Sequence, residues 1–94
     1  MAFHPEAQSE YTEARQWYAE RNLSAAERFE AEVDRLLELI VARPEMFGRY
    51  DDQHRFAVLR RFPYRIIYQV HRGRVFVIAL PHANHHPDYW MDRR

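Results

Sequence analysis

The spacing of apolar residues changes once along this chain, from a period near 3.6 to a period near 2. Ala7, Tyr11, Ala14 and Tyr18 recur at intervals of 4, 3 and 4, one face of a helix, and Trp17 widens that face. Pro5 suits the first turn of such a helix, where a missing N–H costs nothing. Met1 to His4, just before it, reads as a short edge strand. Asn22 and Leu23 interrupt the pattern. Ser24 with Glu27 three residues on has the form of a capping box. Ala26, Phe29, Val33, Leu36, Leu37 and Ile40 then mark a second amphipathic helix, which Arg43-Pro44 ends, because proline pushes its predecessor out of helical geometry. The short gap between the helices implies an antiparallel helical hairpin.

Residues 45–54 read as a loop around Gly48 and Asp51-Asp52. Three runs rich in Val, Ile, Phe and Tyr follow: Phe56 to Phe62, Tyr64 to His71 and Arg74 to Pro81. Arg72-Gly73 has the make-up of a tight turn, and Pro63 favours a turn before the middle run. The whole predicts an α+β fold in which the helical hairpin packs on a small antiparallel β-sheet, a three-stranded meander, as a single domain over residues 1–94. Alternation sends Tyr64, Ile66, Tyr68 and Val70 towards the helices and Arg65, Ile67, Gln69 and His71 to a mostly open face. Residues 75–80 are apolar without a break, as expected of a strand covered on both sides.

Composition narrows the chemistry. The 94 residues contain no cysteine, which excludes disulfides, thiolate metal sites and a cysteine nucleophile. Two glycines, neither in a phosphate-loop pattern, exclude a glycine-rich nucleotide cradle, and no cofactor is expected. No apolar run reaches the length of a membrane span and no signal-peptide pattern opens the chain, so the expected location is cytoplasmic, without membrane contact.

Charge adds a polarity that the net value of zero conceals. All 14 basic side chains are arginine. Residues 1–47 carry five arginines against ten carboxylates; residues 48–94 carry nine arginines against four, along with five of the six histidines. An acidic half is thus joined to a basic half. Arg55, Arg60, Arg61, Arg65, Arg72 and Arg74 fall on or beside the predicted sheet, where guanidinium groups crowded on one face invite an anionic partner such as nucleic-acid phosphate or an acidic protein segment.

The second candidate is the tail His82, His85, His86, Asp88 and Tyr89. His82 and His86 have the i, i+4 spacing of metal ligands, but Pro87 and the absence of a nearby glutamate base argue against a zincin-like site, and no metal is expected. Acid–base work by a histidine with Tyr89 is the alternative. Tyr89-Trp90, an aromatic pair after the last strand, is expected to fold back and close the core.

The string Arg61-Phe62-Pro63-Tyr64-Arg65-Ile66-Ile67-Tyr68, a turn at Arg72-Gly73, then Val75 to Ala79, His82 and Pro87-Asp88-Tyr89-Trp90 resembles the RelE/ParE family of type II toxin–antitoxin toxins. Phe3-His4-Pro5-Glu6-Ala7 before the first helix is similar to that family too, so the likeness spans nearly the whole chain. The resemblance implies a growth-inhibiting toxin neutralised by a cognate antitoxin protein, as a homodimer or a toxin–antitoxin hetero-oligomer. It implies one of two targets, mRNA on the ribosome for RelE-like members or DNA gyrase for ParE-like ones. For an endoribonuclease the resemblance maps catalytic roles onto Arg65, His82 and Tyr89, with Arg60 and Arg61 assisting at the phosphate; Arg60, Arg61, Arg65, His85 and His86 are the target-binding candidates. Relatives with this ending commonly carry arginine between His82 and Pro87, where this chain has Ala83, Asn84, His85 and His86. That departure weakens the case for a fully equipped ribonuclease site without excluding histidine-based cleavage, while the closeness of the Phe62-Pro63-Tyr64-Arg65 to Tyr89-Trp90 frame inclines the reading to the ParE-like branch and leaves open whether the protein is an enzyme. A non-catalytic nucleic-acid-binding module is the further alternative.

Overall fold

A computed structural model describes residues 1–93. Two helices, α1 (Pro5–Arg21) and α2 (Leu23–Ala42), form the hairpin. His4 caps α1, its Nδ1 accepting from the Glu6 N–H, and Pro5 occupies the first turn as expected. Only Asn22 separates the helices, and it serves both. Its N–H donates to Tyr18 O at 2.7 Å to finish α1, and its Oδ1 accepts from Ala25 N at 3.2 Å to start α2. The cap is therefore Asn22, not Ser24, which lies inside α2 and accepts instead from Arg28 Nη1. Asparagine caps as well as serine, and its earlier position lets one residue close both ends.

The sheet has five strands: β1 (Ala2–Phe3), β2 (Gly48–Arg49), β3 (Arg55–Val58), β4 (Arg65–His71) and β5 (Arg74–Ala79), in the order β1-β5-β4-β3-β2. It corrects the expected all-antiparallel meander in two ways. The N-terminal edge strand forms where it was anticipated but runs parallel to β5, so the sheet is mixed. The loop after α2 contributes the extra strand β2, paired with β3. Two residues are too few to leave a period-2 signal. The expected first run also ends early, at Val58. Leu59–Phe62 instead turn, with Leu59 N bonded to Tyr64 O at 3.0 Å and Arg61 at φ 65°. The Arg72-Gly73 turn forms as expected, both residues at positive φ (52° and 77°), the type I′ geometry that matches strand twist.

Each sheet face carries its own core. Towards the helices, Ile66, Tyr68, Val75, Val77 and Leu80 pack with Phe29, Val33, Leu36 and Ile40. Val70, assigned to that face, is 37% exposed because it lies near the hairpin tip. The opposite face, expected to be mostly open, is covered: Trp90, 1% exposed, closes over Ile67, Ile78 and Ala79, with Tyr50, Phe56, Phe76 and Tyr89 around them. A bulge in β5 makes this possible. Ile67 pairs with Ala79 and Tyr68 with Val77, so Ile78 is the extra residue, and Ile78 and Ala79 both join the Trp90 core. The unbroken apolar run 75–80 is thus a strand buried on both sides. Among the described residues no helix is long and apolar enough to cross a membrane.

Candidate functional site

The predicted site residues gather at one end of the sheet but not at one point. Arg65 opens β4, opposite Val58. Its N–H donates to Pro81 O at 3.2 Å, and its guanidinium carbon stands 6.0 Å from the Phe56 ring centroid, on the Trp90 face. Its charge is therefore held at the surface over an aromatic base. Tyr50, which the pattern left in a loop, is a neighbour. Its hydroxyl donates to Asp88 Oδ1 at 2.5 Å, and that bond raises its pKa while the Arg65 charge opposes the shift.

Arg60 and Arg61 project from the turn after β3, both exposed. Glu32 of α2 fixes that turn: Oε2 accepts the Arg60 backbone N–H at 2.6 Å, while Arg35 grips both carboxylate oxygens at 2.8 and 2.9 Å. The Arg35 bonds, and then the Arg60 N–H, keep the Glu32 carboxyl below its ordinary pKa against a modest burial penalty. An acidic helix residue thus fixes the backbone at Arg60, and among the described residues it forms no ion pair with the Arg60 or Arg61 side chain. The rest of the arginine set disperses. Arg55 turns inward, Nη1 donating to Phe47 O at 2.7 Å, and Arg72 and Arg74 occupy the exposed hairpin tip.

His82 lies on the other side. It bridges to Tyr64, its ring edge-on at 5.0 Å, and its Nδ1 accepts from Asn84 N, so the neutral ring carries its proton on Nε2. Tyr64 belongs to the helix-facing core and Arg65 to the opposite face, so alternation along β4 separates His82 from Arg65. His85 and His86 are exposed in the following turns, His85 5.0 Å from the Tyr89 ring. The Tyr89 hydroxyl is buried without a well-formed hydrogen bond. Burial and the adjacent Glu10 carboxylate push it far above the usual phenol range, which leaves it a poor proton donor. No cluster of three His, Asp or Glu side chains suited to a metal ion occurs among the described residues.

Two pairings escaped the sequence pattern. Glu10 of α1 meets Arg93: Arg93 Nη1 and Nη2 donate to Glu10 Oε1 and Oε2 at 3.0 and 2.7 Å, Nη1 also donates to Ile78 O, and Leu80 N donates to Glu10 Oε1 at 2.9 Å. This ties the C-terminal segment to α1 and to the end of β5. His54, 5% exposed, lies against Trp90 with ring centroids 4.8 Å apart; its Nδ1 meets both Asp51 oxygens (2.9 and 3.0 Å) and its Nε2 lies 3.1 Å from Gln69 Nε2. The only sequence trace of the Glu10–Arg93 pair is a charge at each end. Nothing in a 3.6 or 2 period joins residue 10 to residue 93.

The family model for the ParE toxin of type II toxin–antitoxin systems (parDE) matches residues 1–87. The chain belongs to the ParE toxin family. A solved structure of the chromosomal ParDE toxin–antitoxin system from P. aeruginosa superposes at a TM-score of 0.61 with 15% identity, over 86% of this chain and 91% of that one, a likeness of fold. No curated protein matches. The ParE assignment accounts for the two-helix, five-strand architecture and for the frame from Arg61 to Tyr68 on which the resemblance rested. The matched stretch ends at Pro87, so Tyr89, Trp90 and Arg93, which cover the second sheet face, lie beyond it.

Proposed function

We propose that this ParE toxin inhibits growth by binding DNA gyrase in the cytoplasm through the exposed end of its sheet, with Arg60, Arg61 and Arg65 as the principal contacts and the exposed His85 and His86 of the C-terminal turns as further ones, and that a cognate antitoxin silences it. The observation that supports binding over RNA cleavage is the separation of the would-be catalytic set. Arg65 faces one side of the sheet, His82 the other, and the Tyr89 hydroxyl is buried beside Glu10. Ribonuclease chemistry needs a cation at the phosphate and a proton acceptor at the 2′-hydroxyl within one substrate's reach. Cationic side chains held by backbone contacts and left uncompensated suit recognition of an acidic or phosphate-rich surface.

The deciding experiment runs a gyrase supercoiling assay beside an RNA-integrity assay, with and without ribosomes. We expect loss of supercoiling with RNA intact. We expect Arg65→Ala to raise the inhibitory concentration by about tenfold, the order of magnitude carried by a charged contact at an interface, with an unchanged circular dichroism spectrum. RNA cleavage without an effect on gyrase reverses the reading.

A further inference from the structure

A groove of about 370 Å³ runs between α1 and the start of β4, on the helix side of the sheet and away from Arg65. Glu10, Glu13, Trp17, Tyr64, His82 and His85 line it, over an apolar floor of Ala14 and Leu80. We propose that this groove receives an arginine side chain presented by a partner polypeptide. The inference is independent of the gyrase reading.

Three observations carry it. The first is the wall chemistry. Aromatic faces attract cations, and Trp17, Tyr18, Tyr64 and His82 all line this single small volume. Burial, and for Tyr64 also the proximity of Tyr18, raises both phenols, so the two stay neutral there and offer hydroxyls rather than charges. The second is charge. Glu10 is neutralised by Arg93, but Glu13 is exposed on the groove wall and makes no ion pair among the described residues. An anion entering the groove meets the Glu13 carboxylate, whereas a cation meets a partner there, beside the His82 and His85 rings. The third is that this surface already holds a guanidinium. Arg21 stacks 3.8 Å from the Trp17 ring centroid, anchored by a 2.8 Å bond to Trp17 O, yet Arg21 does not line the groove. Trp17 is 49% exposed and itself lines the groove, so it is not sealed off by Arg21.

The size fits one side chain. A volume at the low end of ligand pockets accepts an arginine, its aliphatic stem on Ala14 and Leu80 and its fork at Glu13. The planar, weakly hydrated guanidinium suits stacking better than an ammonium does. A free amino acid would bring its charged α-amino and α-carboxylate groups to the apolar end of the groove, by Ala14 and Leu80, which favours an arginine within a peptide chain.

The test is a titration of the labelled protein with acetyl-Leu-Arg-Leu-amide, followed by the indole N–H signals of Trp17 and Trp90 and the ring signals of Tyr64. Saturable shifts at Trp17 and Tyr64, with Trp90 still, are expected in the millimolar range for so small a probe. The same peptide with citrulline in place of arginine should bind about tenfold more weakly, since the cation–π contribution is gone. Glu13→Gln should weaken the arginine peptide about fivefold. Free L-arginine should bind more weakly than the peptide. Equal binding of the citrulline peptide, unchanged binding by Glu13→Gln, free arginine matching the peptide, or no response at Trp17 would each overturn the proposal.

Discussion

Single residues do more joining than decorating in this protein, and Glu10 is the clearest case. Burial alone would raise its carboxyl, but Arg93, the Leu80 N–H and the Tyr89 neighbourhood together hold it below the ordinary value. A carboxylate whose folded pKa is depressed contributes stability that is complete above its unfolded value and is lost as pH falls through the folded one. Glu10→Gln keeps the shape and an acceptor for Leu80 N but removes the charge facing Arg93. At neutral pH the variant should be less stable by about 1–3 kcal/mol, the cost of breaking a partly buried charged hydrogen bond. The gap should close as pH drops below about 4.5, the ordinary glutamate range. Urea melts of both proteins at neutral and acid pH check this; a gap that persists in acid assigns the loss to packing instead. The pair was illegible beforehand because residues 10 and 93 meet only through the fold, whereas Arg65, on a strand whose alternation is plain, was placed correctly on its face from the sequence.

At the scale of elements, local pattern succeeded wherever a segment was long enough to repeat itself. Both helices, β4, β5 and the Arg72-Gly73 turn follow from spacing. β2, two residues long, has no spacing to show, and the cap of α2 was misplaced by two residues because Ser24-Glu27 satisfies a motif that Asn22 had already made redundant. The two cap assignments separate cleanly. Asn22→Ala should cost about 1 kcal/mol, lowering the melting temperature by about 4–8 °C in a domain of this size, while Ser24→Ala should stay within about 0.5 kcal/mol. Thermal melts of the two variants decide it, and a larger loss from Ser24→Ala reverses the assignment. The larger omission was the second core. Arg65, Ile67, Gln69 and His71 alternate as an exposed face should, except for Ile67, and Trp90 explains Ile67. Trp90→Ala should therefore cost about 3–5 kcal/mol, as large a loss as a central aromatic of the helix-facing core. Denaturant titration measures it; a loss under about 1 kcal/mol would mean the C-terminal segment merely rests on the sheet.

On the scale of the whole molecule, the segregated charge becomes an arrangement in space. The acidic hairpin spends part of its excess across the boundary, Glu6 and Glu10 on Arg93 and Glu32 on the Arg60 backbone, and these contacts hold the sheet's basic end in place without cancelling it. If position rather than total charge drives target encounter, two triple variants of equal net charge must behave differently. Arg60, Arg61 and Arg65 changed to Gln, and Arg21, Arg28 and Arg43 changed to Gln, both take the formal charge from 0 to −3. Electrostatic steering depends on the local field at the docking face, so the sheet set should slow association with the target by about tenfold at low salt and flatten its salt dependence. The helix set, whose side chains are exposed on α1 and at the start and end of α2, should leave both nearly unchanged. Stopped-flow association at several ionic strengths distinguishes the cases. Equal slowing by both sets would mean that the net charge steers and that the sheet end is an ordinary solvated surface. Slowing by the helix set alone would move the docking face to the hairpin.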